Sequence, residues 1–288
     1  MRLLIFGQTG QVARELARAV PDGWEADFLG RGRADLTDPD ACAAVITATD
    51  AEAVINAAAY TGVDRAEEEE ALANVINGAA PAAMARAAAA RALPFVHLST
   101  DYVFDGSGTH PRAPDEPPAP LGVYGRSKLL GEIGVRAAVG PQAILRTSWI
   151  FSAHGSNFVK TMLRLGAERD ELRVVDDQVG GPTPAADIAR ACLTVAAALK
   201  DDSALSGTYH LAGAPPVSWA EFARAIMQGA VLSCRIIDIP TRDYPTPARR
   251  PLNSRLDGTA LKAAFGIDPP DWRAGLKAVL DELTGGRA

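Results

Sequence analysis

The opening of the chain restricts its architecture more than any other segment. Met1-Arg-Leu-Leu-Ile-Phe6 is a short apolar run suited to a buried strand, and Gly7-Gln-Thr-Gly10-Gln-Val-Ala13 follows it without a spacer. A helical pattern then runs through Leu16, Ala17 and Val20. In a strand–turn–helix unit of this kind Gly7 makes the tight turn and Gly10 lets backbone approach a pyrophosphate. Ala13 is small enough for close packing of helix on strand. Gly7, Gln8, Thr9, Gly10, Gln11 and Val12 would then surround the helix N-terminus, whose free amides attract phosphate. A glycine turn alone can also be plain structure, so the rest of the chain has to decide.

The alternation continues. Strands are expected at Glu25–Leu29, 53–59, 93–98 and 143–146. Between them, Thr37-Asp-Pro-Asp40 caps a helix toward Ile46, and 66–73, 78–91 and a stretch from Tyr124 to Val139 read as helices. The acidic run Glu67 to Glu70 reads as a solvated helix face. This spacing specifies an α/β fold with a doubly wound parallel sheet of Rossmann type, covered on both faces. After Trp149 the rhythm loosens: helices are expected at 157–165, 184–198, 219–227 and Trp272–Leu283. Short strands are expected at 172–175, 209–211 and Arg235–Ile239. We therefore expect residues 1–150 plus about 176–212 to form a dinucleotide-binding domain. About 151–175 plus 213–288 should form a smaller, interleaved α/β substrate lobe.

Ligands of such sheets bind beyond the carboxyl ends of the strands. Gly7, the turn Ala57-Ala58-Ala59-Tyr60, Thr100 and Arg146–Ser148 all fall at such ends. Tyr124 and Lys128 are four residues apart and share one face of a helix, where an ammonium can favour an ionised phenol. A phenol with its ordinary pKa near ~10 needs such a neighbour to transfer protons at neutral pH. Thr100 offers a hydroxyl to hold a carbonyl oxygen against that phenol. At the end of the second strand, where a carboxylate would receive the ribose hydroxyls of NAD, the chain reads Leu29-Gly-Arg31-Gly-Arg33, with no acid before Asp35. Arg31 and Arg33 suit a 2′-phosphate, so NADPH is expected in preference to NADH, with Asp35 pulling the other way.

Composition narrows the partners. Of 288 residues 48% are hydrophobic, ample for a core, and the formal charge is −6. That balance argues against nucleic acid or an anionic membrane as the main partner. Cys42, Cys192 and Cys234 are scattered without C-x-x-C spacing, which suits a reducing, cytoplasmic setting and offers no zinc signature. The strand-like beginning leaves no room for a signal peptide, and no run of about 20 apolar residues exists to span a membrane.

Taken together, Gly7-x-x-Gly10-x-x-Ala13, Thr100 and Tyr124-x-x-x-Lys128 resemble the extended short-chain dehydrogenase/reductase family. The stretches HLSTDYVFDG, YGRSKLLGE, ILRTSWIF, VVDDQVGGPTPAADIA and RRPLNSRLD resemble its dTDP-4-dehydrorhamnose reductase branch, in order along most of the chain. The resemblance implies NAD(P)H-dependent reduction of the C4 keto group of dTDP-4-dehydro-6-deoxy-L-mannose. It implies Tyr124 as proton donor, Lys128 as the ribose ligand that tunes it, and Thr100 as the carbonyl-orienting hydroxyl. Asp35 and Leu36 would flank adenine, and Ala57 to Tyr60 would line adenosine and ribose. Asp101, Tyr102, Trp149 and Asn157 would surround the sugar, while Arg249 and Arg255 would meet the diphosphate of the dTDP-sugar. Glu15 matches a glutamate that some members use at a magnesium site on a dimer contact. It reads here as a solvated helix charge, and no metal is expected; a homodimer is the assembly the resemblance allows. The alternatives are a reductase of another nucleotide 4-ketosugar, and a non-catalytic subunit resembling the regulatory subunit of methionine adenosyltransferase.

Overall fold

Residues 1–285 are described by a computed structural model. In β1 (Arg2–Phe6) the apolar residues alternate between two cores: Leu3 and Ile5 point into one, Leu4 and Phe6 into the other. Such a strand can only be central. The chain continues through α1 (Gln11–Ala19), β2 (Glu25–Leu29), α2 (Pro39–Ala48) and β3 (Ala53–Asn56). Asp38 starts α2 by accepting a hydrogen bond from the Ala41 amide at 3.0 Å. Beyond β3 the expected helix at 66–73 is broken into α3 (Val63–Ala66) and α4 (Glu70–Asn74). A π-turn at Val75–Ala79 then leads into α5 (Ala80–Ala90). β4 (Phe95–Thr100), α6 (Val123–Ala137) and β5 (Gln142–Thr147) complete the first half. Helix α6 ends two residues before the expected Val139, which adopts φ +44°.

The second half contains β6 (Ile150–Phe151), α7 (Phe158–Glu168), β7 (Glu171–Val175), β8 (Val179–Gly180), β9 (Thr183–Pro184) and α8 (Ala185–Asp201). After these come β10 (Gly207–Leu211), β11 (Val217–Ser218), α9 (Trp219–Gly229), β12 (Arg235–Ile239), β13 (Asn253–Ser254), α10 (Thr259–Phe265) and α11 (Trp272–Leu283). The main sheet has six parallel strands in the order β10-β5-β4-β3-β1-β2. The chain moves outward from β1 to β2 and then crosses to β3 on the other side of β1. A crevice opens where that direction reverses. Helices α1 and α8 cover one face; α2, α5 and α6 cover the other.

A third core gathers Val159, Met162, Phe222, Ile226, Trp272 and Leu276 of α7, α9 and α11. The parallel pair β7–β12 contributes Leu172, Val174 and Ile236 to it. Ser218 and Glu221 form a reciprocal capping box that starts α9. Three short strands, β11-β8-β13, lie together, and β6 pairs with β9. Helix α10, from the stretch expected in the smaller lobe, packs Leu261 into the core around the main sheet.

Candidate active site

A cleft of about 730 Å³ lies at the carboxyl ends of the strands. Gly7 to Val12, Leu29, Gly30, Arg31, Asp35, Leu36, Ala57 to Tyr60, Tyr124 and Lys128 line it. Gly7 has φ +115°, a conformation that side chains rarely adopt. A Cβ added there would also stand 3.3 Å from the Ala57 carbonyl carbon, so the turn and the small-residue loop meet backbone to backbone. Gly10 caps α1 without a side-chain hydrogen bond, and the space a Cβ would fill is open. The amides of the first turn of α1 are thus left for an anion. These residues fit a dinucleotide cofactor.

Not every candidate faces that cleft. Arg33 turns outward and forks onto Asp27 at 2.6 and 2.7 Å, so of the two arginines Arg31 alone lines the cleft. Asp35 lines the cleft while its Oδ1 accepts the Thr37 amide at 2.9 Å, which with the Thr37 hydroxyl holds its carboxyl below the usual range. Gln11 is tied by Asn157, whose Nδ2 donates to Gln11 Oε1 at 2.8 Å and to the Ser152 carbonyl at 2.7 Å. Asn157 Oδ1 caps α7 through the Lys160 amide. Asn157, expected against the sugar, thus has both ends of its amide engaged with protein.

Strand β4 ends by presenting Thr100 to α6. Burial pushes the Tyr124 phenol up to about 12, while a hydrogen bond with Thr100 pulls it the other way. Lys128 is buried, donates to the Leu98 carbonyl at 2.7 Å and is lowered by burial to about 8. Tyr102 packs edge-on against Tyr124 with ring centroids 5.4 Å apart. Asp101 is buried with Oδ1 3.1 Å from the Thr100 hydroxyl; burial raises its carboxyl to about 6. Trp149, at φ +49°, stacks on Trp219 at 3.6 Å. The Cβ position of Gly180 would lie 2.9 Å from both Trp149 Cε2 and Ser254 Cβ, so the β11-β8-β13 sheet packs against Trp149.

The three arginines of the basic segment have different surroundings. Arg249 is exposed, and Arg255 donates to Asn253 Oδ1 at 3.0 Å. Arg250 instead binds Asp64, just after the Ala57–Tyr60 loop, through two hydrogen bonds of 2.7 Å beside Tyr102. Glu15 is not a solvated charge but 8% exposed, with Arg18 at 3.7 Å and His154 at 3.6 Å. The acidic run is exposed at Glu67, Glu68 and Glu70 as expected, but it spans the break between α3 and α4: Glu67 accepts the Val123 amide at 2.9 Å and starts α6, and Glu69 accepts the Tyr60 hydroxyl at 2.6 Å. Asn77, on the π-turn, holds the loop that lines the cleft. Its Oδ1 accepts from Tyr60 N at 2.8 Å and its Nδ2 donates to Tyr60 O at 3.0 Å. Nothing local in the sequence marks it, because its burial and the widened turn exist only in the folded chain.

A parallel sheet with an anion-binding glycine turn, opening onto a tyrosine and a lysine one helical turn apart, defines a dinucleotide-dependent oxidoreductase of the short-chain type. The family described as the RmlD substrate binding domain matches residues 1–285. A dTDP-4-dehydrorhamnose reductase of Burkholderia thailandensis is 44% identical over 285 residues, covering 95% of this chain and 96% of the relative. The one from Escherichia coli K12 is 39% identical, covering 98% of each. Among solved structures, a dTDP-4-dehydrorhamnose reductase of Bacillus anthracis in complex with NADP superposes with a TM-score of 0.91. It is 34% identical and is covered over 99% of its length by 98% of this chain. The chain belongs to the dTDP-4-dehydrorhamnose reductase family of NAD(P)H-dependent oxidoreductases. Among the described residues no helix is long and apolar enough to cross a membrane.

Proposed function

We propose that the protein reduces the C4 keto group of dTDP-4-dehydro-6-deoxy-L-mannose to give dTDP-L-rhamnose, using NADPH in preference to NADH. The observation that carries this reading is the placement of Tyr124, which lines the dinucleotide cleft while meeting the Thr100 hydroxyl and packing edge-on against Tyr102. The names of the relatives, and the NADP of the Bacillus anthracis structure, support the substrate and the coenzyme. In this reading Gly7 to Val12 cradle the pyrophosphate, Arg31 meets the 2′-phosphate, and Asp35, Leu36 and Ala57 to Tyr60 form the adenosine side. When bound, a reduced nicotinamide supplies the hydride. Tyr124 gives its phenol proton to the ketone oxygen, and Thr100 donates a hydrogen bond that strengthens as charge gathers there. Lys128 favours the phenolate that results. Tyr102 and Trp149 shape the sugar pocket, and Arg249 and Arg255 lie on the second-lobe segment where the diphosphate would be held. The buried, free cysteines fit a reducing, cytoplasmic setting.

The test is direct turnover. The protein is incubated with the dTDP-4-ketosugar and each reduced coenzyme, nicotinamide absorbance is followed, and the sugar product is identified. Oxidation of NADPH matched by dTDP-L-rhamnose is expected. No oxidation with either coenzyme, or a C4 epimer as product, would overturn the reading.

A further inference from the structure

Behind Lys128 lies a buried histidine that the mechanism above does not use. His97, on β4, is 0% exposed, and its Nε2 is 3.5 Å from Lys128 Nζ. Its Nδ1 is 3.2 Å from Asn56 Nδ2 at the end of β3, and Asn56 is itself 1% exposed. The orientation of Asn56 is set from its other side, because Oδ1 accepts the Ala58 amide at 3.2 Å. With Oδ1 committed, the amide nitrogen must face the histidine. A ring nitrogen facing an NH₂ accepts, so the ring proton sits on the opposite nitrogen. That nitrogen is Nε2, the one that faces the lysine.

We propose that His97 is a positioning residue for Lys128: held by Asn56 as the tautomer protonated on Nε2, it directs an N–H at the lysine nitrogen and favours the amine over the ammonium. The inference rests on the assignment of Lys128 to the reaction. An N–H can donate to the lone pair of an amine, but it opposes the three donors of an ammonium. The remaining groups around Lys128 do not cancel this. The Leu98 carbonyl accepts from either form at 2.7 Å. Tyr124 lies one turn before Lys128 in α6 and Glu132 one turn after it. Glu132 favours the ammonium, yet Arg146 of β5 already binds both its oxygens at 2.8 and 2.7 Å. Ser99 of β4 and Arg136 of α6 hold it as well. The lysine is therefore balanced between its two forms. An ammonium so balanced can release a proton to the Tyr124 phenolate, directly or through a bridging hydroxyl, restoring the phenol, and its amine regains a proton from water. Because Ala58 belongs to the cleft wall, the chain Ala58–Asn56–His97–Lys128 ties the protonation of the lysine to the loop that meets the coenzyme.

Nitrogen-15 NMR of the intact, coenzyme-free protein reads the tautomer without any mutation. His97 is expected to keep a protonated Nε2 and a bare Nδ1 between about pH 6 and 9. A proton on Nδ1, or an imidazolium, in that range would overturn the proposal. The second arm is Asn56→Asp, whose carboxylate accepts from both Ala58 N–H and His97 and so draws the ring proton to Nδ1. Nε2 would then accept from the ammonium, and the basic limb of the kcat profile should move up by about one pH unit. In a His97→Phe background Asn56→Asp should leave that limb in place. An equal shift in both backgrounds would mean that the new charge acts directly and would overturn the proposal. A Lys128→Ala protein of full activity would instead remove the role of the lysine, leaving the tautomer of His97 a separate, readable fact.

Discussion

The surroundings of Tyr124 hold the proton on its phenol and oppose the ionisation that an ammonium at Lys128 is expected to favour. Burial pushes the phenol up to about 12, and the nearby Asp101 carboxylate acts in the same direction against the Thr100 hydrogen bond. Tyr124→Phe keeps the ring against Tyr102 and deletes the proton; kcat should fall roughly 10²–10⁴-fold with coenzyme binding retained. Near-full turnover by that variant would remove Tyr124 from the chemistry. The two arginines after β2 make a sharper comparison. Arg31 lines the cleft, whereas Arg33 is committed to Asp27. Arg31→Ala should lower kcat/KM for NADPH by about ten- to hundredfold and leave NADH nearly unchanged. Arg33→Ala should alter neither coenzyme by more than about twofold. Equal losses with both coenzymes in Arg31→Ala would place the 2′-phosphate elsewhere.

At the scale of elements, α6 is held against its neighbours by missing side chains. A Cβ on Gly125 would lie 2.2 Å from the Tyr102 carbonyl oxygen, and one on Gly131 would lie 2.1 Å from Asn77 O. The helix therefore sits on backbone rather than on side chains, which fixes the height at which Tyr124 and Lys128 enter the site. Glu67 fixes its start by accepting the Val123 amide. Gly131→Ala must lift α6 from the π-turn at a cost of about 1–3 kcal/mol, readable as a lower urea midpoint. Since Asn77 binds both backbone groups of Tyr60, the same variant should raise KM for the coenzyme more than it lowers kcat. Unchanged stability and KM would mean that the turn tolerates the displacement. The expected helix at 66–73 failed for a related reason: its residues are good helix formers, but Tyr60, Glu69 and Asn77 fit together only when the helix is interrupted and widened.

For the whole molecule, the buried histidines make folding sensitive to acid. His210 is lowered to about 4, by burial first and then by Arg146; its Nδ1 is 2.9 Å from the Arg112 carbonyl and its Nε2 3.3 Å from Arg146 Nη1. His97 is held well below the ordinary range by burial and by Lys128. An unfolded chain protonates its histidines near about pH 6.5. Between that value and the lower native one the unfolded state binds more protons, so stability is lost as pH falls. Across its window from about 6.5 down to about 4, His210 contributes about 3 kcal/mol, and His97 acts in the same direction. Asp101, raised to about 6, acts with opposite sign, because its native form takes up a proton more readily as pH falls. Two histidines outweigh one carboxyl. The urea midpoint should therefore drop from about pH 7 to 5, and His210→Gln should flatten the drop. A midpoint that stays level or rises on acidification would show that these histidines are charged in the native state.

The sequence by itself determined the sheet, the cleft and the paired tyrosine and lysine, because each is written in contiguous residues. Leu3 to Phe6 must feed two cores, Gly7 must adopt its positive φ, and Tyr124 and Lys128 must share a helix face. Only the tertiary structure decided how the charges were shared out. Arg33 left the cleft for Asp27, and Arg250 rather than Arg249 reached Asp64, 186 residues away in sequence. Glu67 became the cap of a helix that begins 56 residues later. A charged side chain is long, and several opposite charges lie within its reach. Which of them it meets depends on the distance between strands and helices once the sheet has closed, and no local pattern of residues carries that distance.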